Sequence, residues 1–273
     1  MKKRWMYLLM VLVVSVGLLA GCNKAEQETV EMIEREINEE DRETLTVGFD
    51  ASFPPYGYED ESGNYVGFDL DLAAELCERN GWELILQPID WDAKDMELDS
   101  GTVDCIWNGF TINGREGKYE WTEPYVDNSQ VVVVRQDAGI TNLADLAGKE
   151  VMVQADSSAL SALEGDRADL AEMFQALTEV PDYNTAFMSL EAGATDAVAM
   201  DIGVANYQLE SRDGEFVILE EILAEEQYGV GCKLGNTQLR DQIQKTLNEM
   251  AEDGTFMRIA ELWDLADAVS LGK

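Results

Sequence analysis

The side chains able to do chemistry in this chain are its acids, its few cations and its cysteines, because it contains no histidine. That removes the commonest general base and the commonest nitrogen ligand for a metal, and it shifts the weight from catalysis towards binding. No zinc spacing, calcium-loop pattern or glycine-rich phosphate loop is found, so neither a metal nor a cofactor is expected. Arg115 has the planar fork that matches a carboxylate through two parallel hydrogen bonds, or it pairs on the surface with Glu116 or Glu120. Asp201 follows the apolar run 197–200 and either meets a cation or caps a helix starting at Ile202. Of the four cysteines, Cys77, Cys105 and Cys232 have apolar neighbours and read as buried thiols, with one disulfide possible among the three.

These residues must be held by alternating strands and helices. Leu45, Val47 and Phe49 have the period of a strand, and the prolines of Phe53-Pro54-Pro55-Tyr56 exclude a helix after it. Asp69 is expected to cap a helix carrying Leu72, Ala73, Leu76 and Cys77, stopped at Gly81. Strands at 83–87 and 103–107 flank a short helix at 93–98, and the continuous apolar run 131–134 suits a strand buried on both faces. A second series has strands near 151–154, 197–200 and 217–219, with helices near 158–163 and 185–192, the latter capped by Asn184. After a strand at 228–232, two helical stripes follow, the first on Leu239, Ile243, Leu247 and Met250. Two α/β series imply two lobes, with a ligand in the crevice at the strand ends between them.

The N-terminus reads as an export signal: Met-Lys-Lys-Arg, an apolar run from Trp5, then Leu19-Ala20-Gly21-Cys22. Leu-Ala-Gly-Cys resembles the cleavage pattern of bacterial lipoproteins, which implies a signal over residues 1–21 and a lipid-bearing Cys22. Residues 22–43 are polar and glutamate-rich, a stalk between lipid and domain. Losing Lys2, Lys3 and Arg4 with the signal takes the net charge from −36 to −39. So negative a chain repels phosphate backbones, which excludes nucleic-acid binding.

Four ordered segments carry a family resemblance: Val47–Tyr56, Val66–Ala73, Val103–Ile112 continued by Trp121–Tyr125, and Ala251–Phe256. Together they resemble the polar amino-acid family of bacterial extracellular solute-binding proteins. The resemblance implies a type II periplasmic-binding-protein-like fold, two α/β lobes joined by two crossing hinge strands. Residues 44–127 and 227–273 would form the first lobe and residues 128–226 the second. It also implies a monomer that closes on one free amino acid and hands it to the membrane subunits of an ABC importer, anchored by its lipid to a Gram-positive cell surface. Arg115 would hold the ligand carboxylate, although the turn before it is one residue shorter than is usual in the family, and Asp201 would hold the ammonium. The hydroxyl of Thr111 and the backbone amide of Ser158 would also donate to the carboxylate, with Asn108 and Gly109 lining that wall and Gln154 and Ser157 as weaker contacts. Asp50, Phe53 and Trp91 fall on the family's side-chain pocket, where the rings clamp the ligand or pack in the core. Trp107, on the opposite face from Asn108, belongs to the core. Acid and aromatics together favour a basic amino acid over glutamine or cystine. Dehydratases of prephenate-like acids resemble the same fold, and for that reading Asp50 or Asp201 would serve as acid or base.

Overall fold

Leu45, Val47 and Phe49 are fully buried, and the strand they form, β1 (Thr44–Phe49), runs parallel to β5 (Glu83–Pro88) and β6 (Cys105–Ile106). The computed structural model describes residues 42–210, 212 and 214–272, so the expected signal, Cys22 and the acidic stretch to residue 41 lie outside the described residues. Two antiparallel strands, β14 (Gly231–Lys233) and β7 (Tyr119–Trp121), complete a first sheet in the order β5-β1-β6-β14-β7. A small sheet of β2 (Ser52–Phe53), β3 (Gly57–Glu59) and β4 (Tyr65–Val66) stands beside it.

The second sheet is built on β8 (Val126–Arg135). Its order is β10 (Ala176–Val180), β9 (Glu150–Gln154), β11 (Ala197–Asp201), β8, β12 (Phe216–Ile218), and β13 (Ala224–Tyr228) also pairs with β8. Val131–Val134 are all buried, as a continuous apolar strand covered on both faces must be. The other half of β8 pairs with β13, from Val126 opposite Tyr228 to Gln130 opposite Ala224. This ribbon carries the chain out of the first sheet and back, giving two α/β lobes joined by two crossing strands. The run expected as one strand at 228–232 is therefore two, because its halves belong to different sheets.

Two helix starts differ from the sequence reading. The first helix (Phe68–Asn80) is preceded by Gly67, not capped by Asp69; a Cβ on Gly67 would lie 2.2 Å from the Tyr56 carbonyl oxygen, so only glycine fits. Asp69 instead turns inward from the first turn and accepts from the Gly109 amide at 2.6 Å and the Tyr125 hydroxyl at 2.9 Å. The helix Tyr183–Glu191 is capped by Asp182, whose extended backbone lets its carboxylate accept from Thr185 N at 2.8 Å. Asn184, two residues too late for that role, accepts from Gln208 at 3.1 Å.

The last two helices, Thr237–Glu252 and Thr255–Leu262, return to the first lobe and bury Leu239, Ile243, Leu247, Met250 and Phe256. Each large apolar side chain so buried contributes roughly 1.5–3 kcal/mol. Cys77, Cys105 and Cys232 are buried, and among the described residues no disulfide joins them, although Cys105 and Cys232 sit opposite one another on β6 and β14.

Candidate functional site

Most candidate residues sit at strand ends, while Trp91 starts a short 3-10 helix after β5 and Arg115 lies in the turn after Thr111. The end of β1 delivers Asp50 and Phe53, the end of β6 delivers Asn108–Thr111, and the end of β9 delivers Gln154–Ser158. Asp201 is the last residue of β11. The ribbon adds Asn128 and Gln130 from β8 and Glu226 from β13.

Asp201 and Glu226 form the centre. Asp201 accepts from the Asn128 amide at 3.0 Å, from the Tyr183 hydroxyl at 3.4 Å and from the Tyr228 hydroxyl. Glu226 collects four donors: the Thr111 hydroxyl at 3.0 Å, the amides of Asn128 at 2.7 Å and Gln130 at 2.8 Å, and the Ser158 hydroxyl. Both acids are 4% exposed, and one Asn128 nitrogen touches both carboxylates. Burial first, then the charge of Glu226, push the Asp201 carboxyl well above the usual carboxylate range.

Arg115 lies on the other side of Thr111. It is 8% exposed, stacks 5.3 Å above the Phe110 ring centroid, and donates to the carbonyls of Thr111 at 3.3 Å and Asp156 at 3.1 Å. The surface partners open to it are engaged elsewhere, Glu116 with the Gly114 amide and Glu120 with Arg240. Asp156 also receives a second cation, Lys94, on its carboxylate. Lys94 is fully buried, 5.1 Å from the Trp91 ring centroid, and burial lowers its pKa. Asp156 has φ +53°, left-handed backbone that is uncommon outside glycine, and this aims the β9 turn back at the other lobe.

Asp50 holds the far end of the cleft. Its carboxylate accepts from Ser52 N at 2.7 Å and, across the cleft, from Gln154 Nε2 at 2.6 Å. Burial outweighs those bonds and raises its pKa to about 6, with Asp182 and Asp90 adding to the rise. Asp50, Ser52, Asp90, Trp91 and Asp182 line a cavity of 380 Å³.

The structure thus joins Thr111, Ser158 and Asp201 in one network, attaches Arg115 to it through the Thr111 carbonyl, and sets Asp50 beside Trp91. Asn108 and Gly109 lie among the chain's own groups. Asn108 Oδ1 accepts from Asp50 N at 3.1 Å, and a Cβ on Gly109 (φ +54°) would lie 2.8 Å from Phe53 and 3.1 Å from Tyr228. Phe53 packs against Tyr56 and Tyr183, and Trp107 is fully buried. Ser157 caps the helix Ser158–Glu164. Sequence reasoning did not find Glu226, Asn128, Gln130, Lys94 or Asp156. For Glu226 a signal existed: in 224–228 it shares the buried face of Tyr228 at strand period.

The model of bacterial extracellular solute-binding proteins, family 3, matches residues 45–266. The L-cystine-binding protein TcyJ of Escherichia coli (strain K12) is 28% identical over 258 residues, covering 93% of this chain and 94% of its own length. The arginine-binding extracellular protein ArtP of Bacillus subtilis (strain 168) is 26% identical over 267 residues, covering 96% and 98%. Among solved structures, an ABC uptake transporter substrate binding protein from Streptococcus pneumoniae with bound histidine superposes with a TM-score of 0.80 at 32% identity, over 83% of this chain and 94% of that one. With two lobes, a ribbon hinge and a family match spanning both, the chain belongs to the bacterial extracellular solute-binding proteins, family 3.

Proposed function

We propose that this chain is the receptor of an amino-acid ABC importer, closing its lobes on one free amino acid. One observation carries the reading: Thr111 takes the Arg115 guanidinium on its carbonyl and gives its hydroxyl to Glu226, beside Asp201. A cation and a pair of carboxylates therefore flank a single residue, the charge pattern of a zwitterion reversed. Stripping water from an α-carboxylate and an α-ammonium is costly unless each meets such a partner. Bridging the lobes, the ligand stabilises the closed form by its differential affinity for it. Residues 44–127 with 227–273 and residues 128–226 would be the moving bodies, with the hinge in the β8–β13 ribbon.

A basic side chain suits the cavity lined by Asp50, Asp90 and Asp182, and a cystine-type ligand is the second reading, favoured by the likeness to TcyJ. The receptor would be a monomer, tethered through a lipid on Cys22 to the outer face of a Gram-positive cell membrane. The test is to refold the protein free of bound ligand and follow its melting against the twenty amino acids, ornithine and cystine. At 100 times its dissociation constant a ligand adds about 2.7 kcal/mol, a shift of several degrees. A shift with arginine, lysine, ornithine or histidine supports the basic reading; a shift with cystine alone replaces it; no shift removes the amino-acid reading.

A further inference from the structure

A hydroxyl has one proton to give. Thr111 and Ser158 both direct theirs to Glu226, and an ionised carboxylate can only accept. The outward side of the Thr111 oxygen is then an acceptor, and Ser158 can offer a ligand only its backbone amide. This reverses the hydroxyl role that the sequence suggested for Thr111. Asn128 and Gln130 are turned the same way. Their amide nitrogens point to Glu226, while Asn128 Oδ1 and Gln130 Oε1 are buried without a hydrogen-bond partner among the described residues. The two side chains are 5% and 0% exposed. Buried acceptors left unpaired are costly, and they lie beside the acids in the cleft.

We propose that Glu226 is a positioning residue for the ligand's ammonium: by drawing in the protons of Thr111, Ser158, Asn128 and Gln130, it makes the surrounding oxygens acceptors. The inference rests on the amino-acid reading above. An ammonium brings three donors, enough for Asp201, the Thr111 oxygen and one orphaned amide oxygen. The carboxylate is then left to Arg115 and to backbone amides.

The test uses the full chain in detergent, refolded once, and compares L-arginine with 5-guanidinopentanoate, which lacks only the α-ammonium. L-histidine with imidazolepropionate and L-cystine with dithiodipropionate serve in the same way if either is the ligand. Glu226→Gln cannot accept from all four donors, so a hydroxyl or amide must turn outward. The preference for the amino acid over its des-amino analogue should shrink by about 10- to 100-fold, the worth of a charge-assisted hydrogen bond. Affinity for the analogue should change by less than about threefold. Thr111→Val, which leaves Glu226 in place, should narrow the same ratio and serves if Glu226→Gln does not fold. The double variant should lose less than the sum of the two, because one residue acts through the other. Equal weakening of both ligands, or an unchanged ratio, overturns the proposal. Tighter binding of both in Glu226→Gln also overturns it, because Glu226 would then be a competitor of the ligand carboxylate. If wild type binds none of the three, the amino acid that does bind is paired with its own des-amino analogue, and if no amino acid binds, the amino-acid reading itself falls.

Discussion

Asp201→Asn should separate binding from stability. The carboxyl is 4% exposed and its three donors, Asn128, Tyr183 and Tyr228, are all neutral. Burial and Glu226 already hold its pKa far above that of an exposed aspartate. An amide of the same shape removes that repulsion while leaving an oxygen for Tyr228 and Asn128. Ligand-free stability at neutral pH should therefore move by no more than about 1 kcal/mol, or about 2–4 °C for a domain of this size, and upward if the repulsion dominates. Binding should behave differently. Breaking a buried pair between carboxylate and ammonium costs about 3–5 kcal/mol. Part of that is offset in wild type, where a carboxyl protonated at the working pH must first ionise, at about 1.4 kcal/mol per pH unit. The net expectation is a loss of affinity of about 100-fold. Scanning calorimetry of the stripped protein measures the first quantity and titration calorimetry the second. Titrations in phosphate and in Tris should also show proton release on binding by wild type and none by the variant. Unchanged affinity, or a ligand-free melt lowered by more than about 10 °C, would sink the assignment.

Other consequences can be measured. Arg115→Lys keeps the charge but loses the planar fork, so affinity should fall by at least tenfold while the ligand-free melt stays near wild type. Asp156→Asn should destabilise by about 1–2 kcal/mol in urea, because buried Lys94 loses its carboxylate, although the half-exposed Asp156 makes the pair weaker than a fully buried one, and adding Lys94→Met should restore most of the loss. Asp50 and Asp69 have pKa values raised by burial from 3.8 to about 6 and about 7. Asp201 is raised in the same way, to about 8. Between the unfolded and folded values the folded chain binds more protons than the unfolded one, so ligand-free stability should fall as pH rises from about 4 to about 8. Melting points at pH 5 and pH 8 check the sign, and a higher value at pH 8 would contradict it. Gly109→Ala should destabilise by about 1–3 kcal/mol, since its backbone is left-handed and its Cβ would meet Phe53 at 2.8 Å.

The sequence by itself determined the class of fold, and for a physical reason. Period-two burial in Leu45, Val47 and Phe49, the apolar run 131–134 and the helical stripe at Leu239, Ile243 and Leu247 are local patterns that solvent exclusion imposes directly. The family resemblance, rather than any periodicity, implied Asp50, Thr111, Ser158 and Asp201 as ligand contacts. What the sequence missed depended on contacts between distant segments. Asp69 looked like a helix cap because a short acid before an apolar stripe usually is one, and only the fold brings the Gly109 amide to it across forty residues. Asn184 looked like the cap of the helix that follows it, and backbone geometry gives that role to Asp182. Glu226 is on a strand whose other charged neighbours face water, and its meaning depends on β13 lying against β8 and on both lobes reaching it. The direction of a hydroxyl proton is still further from the sequence: it follows from which acceptor is nearest, and tertiary packing alone decides that.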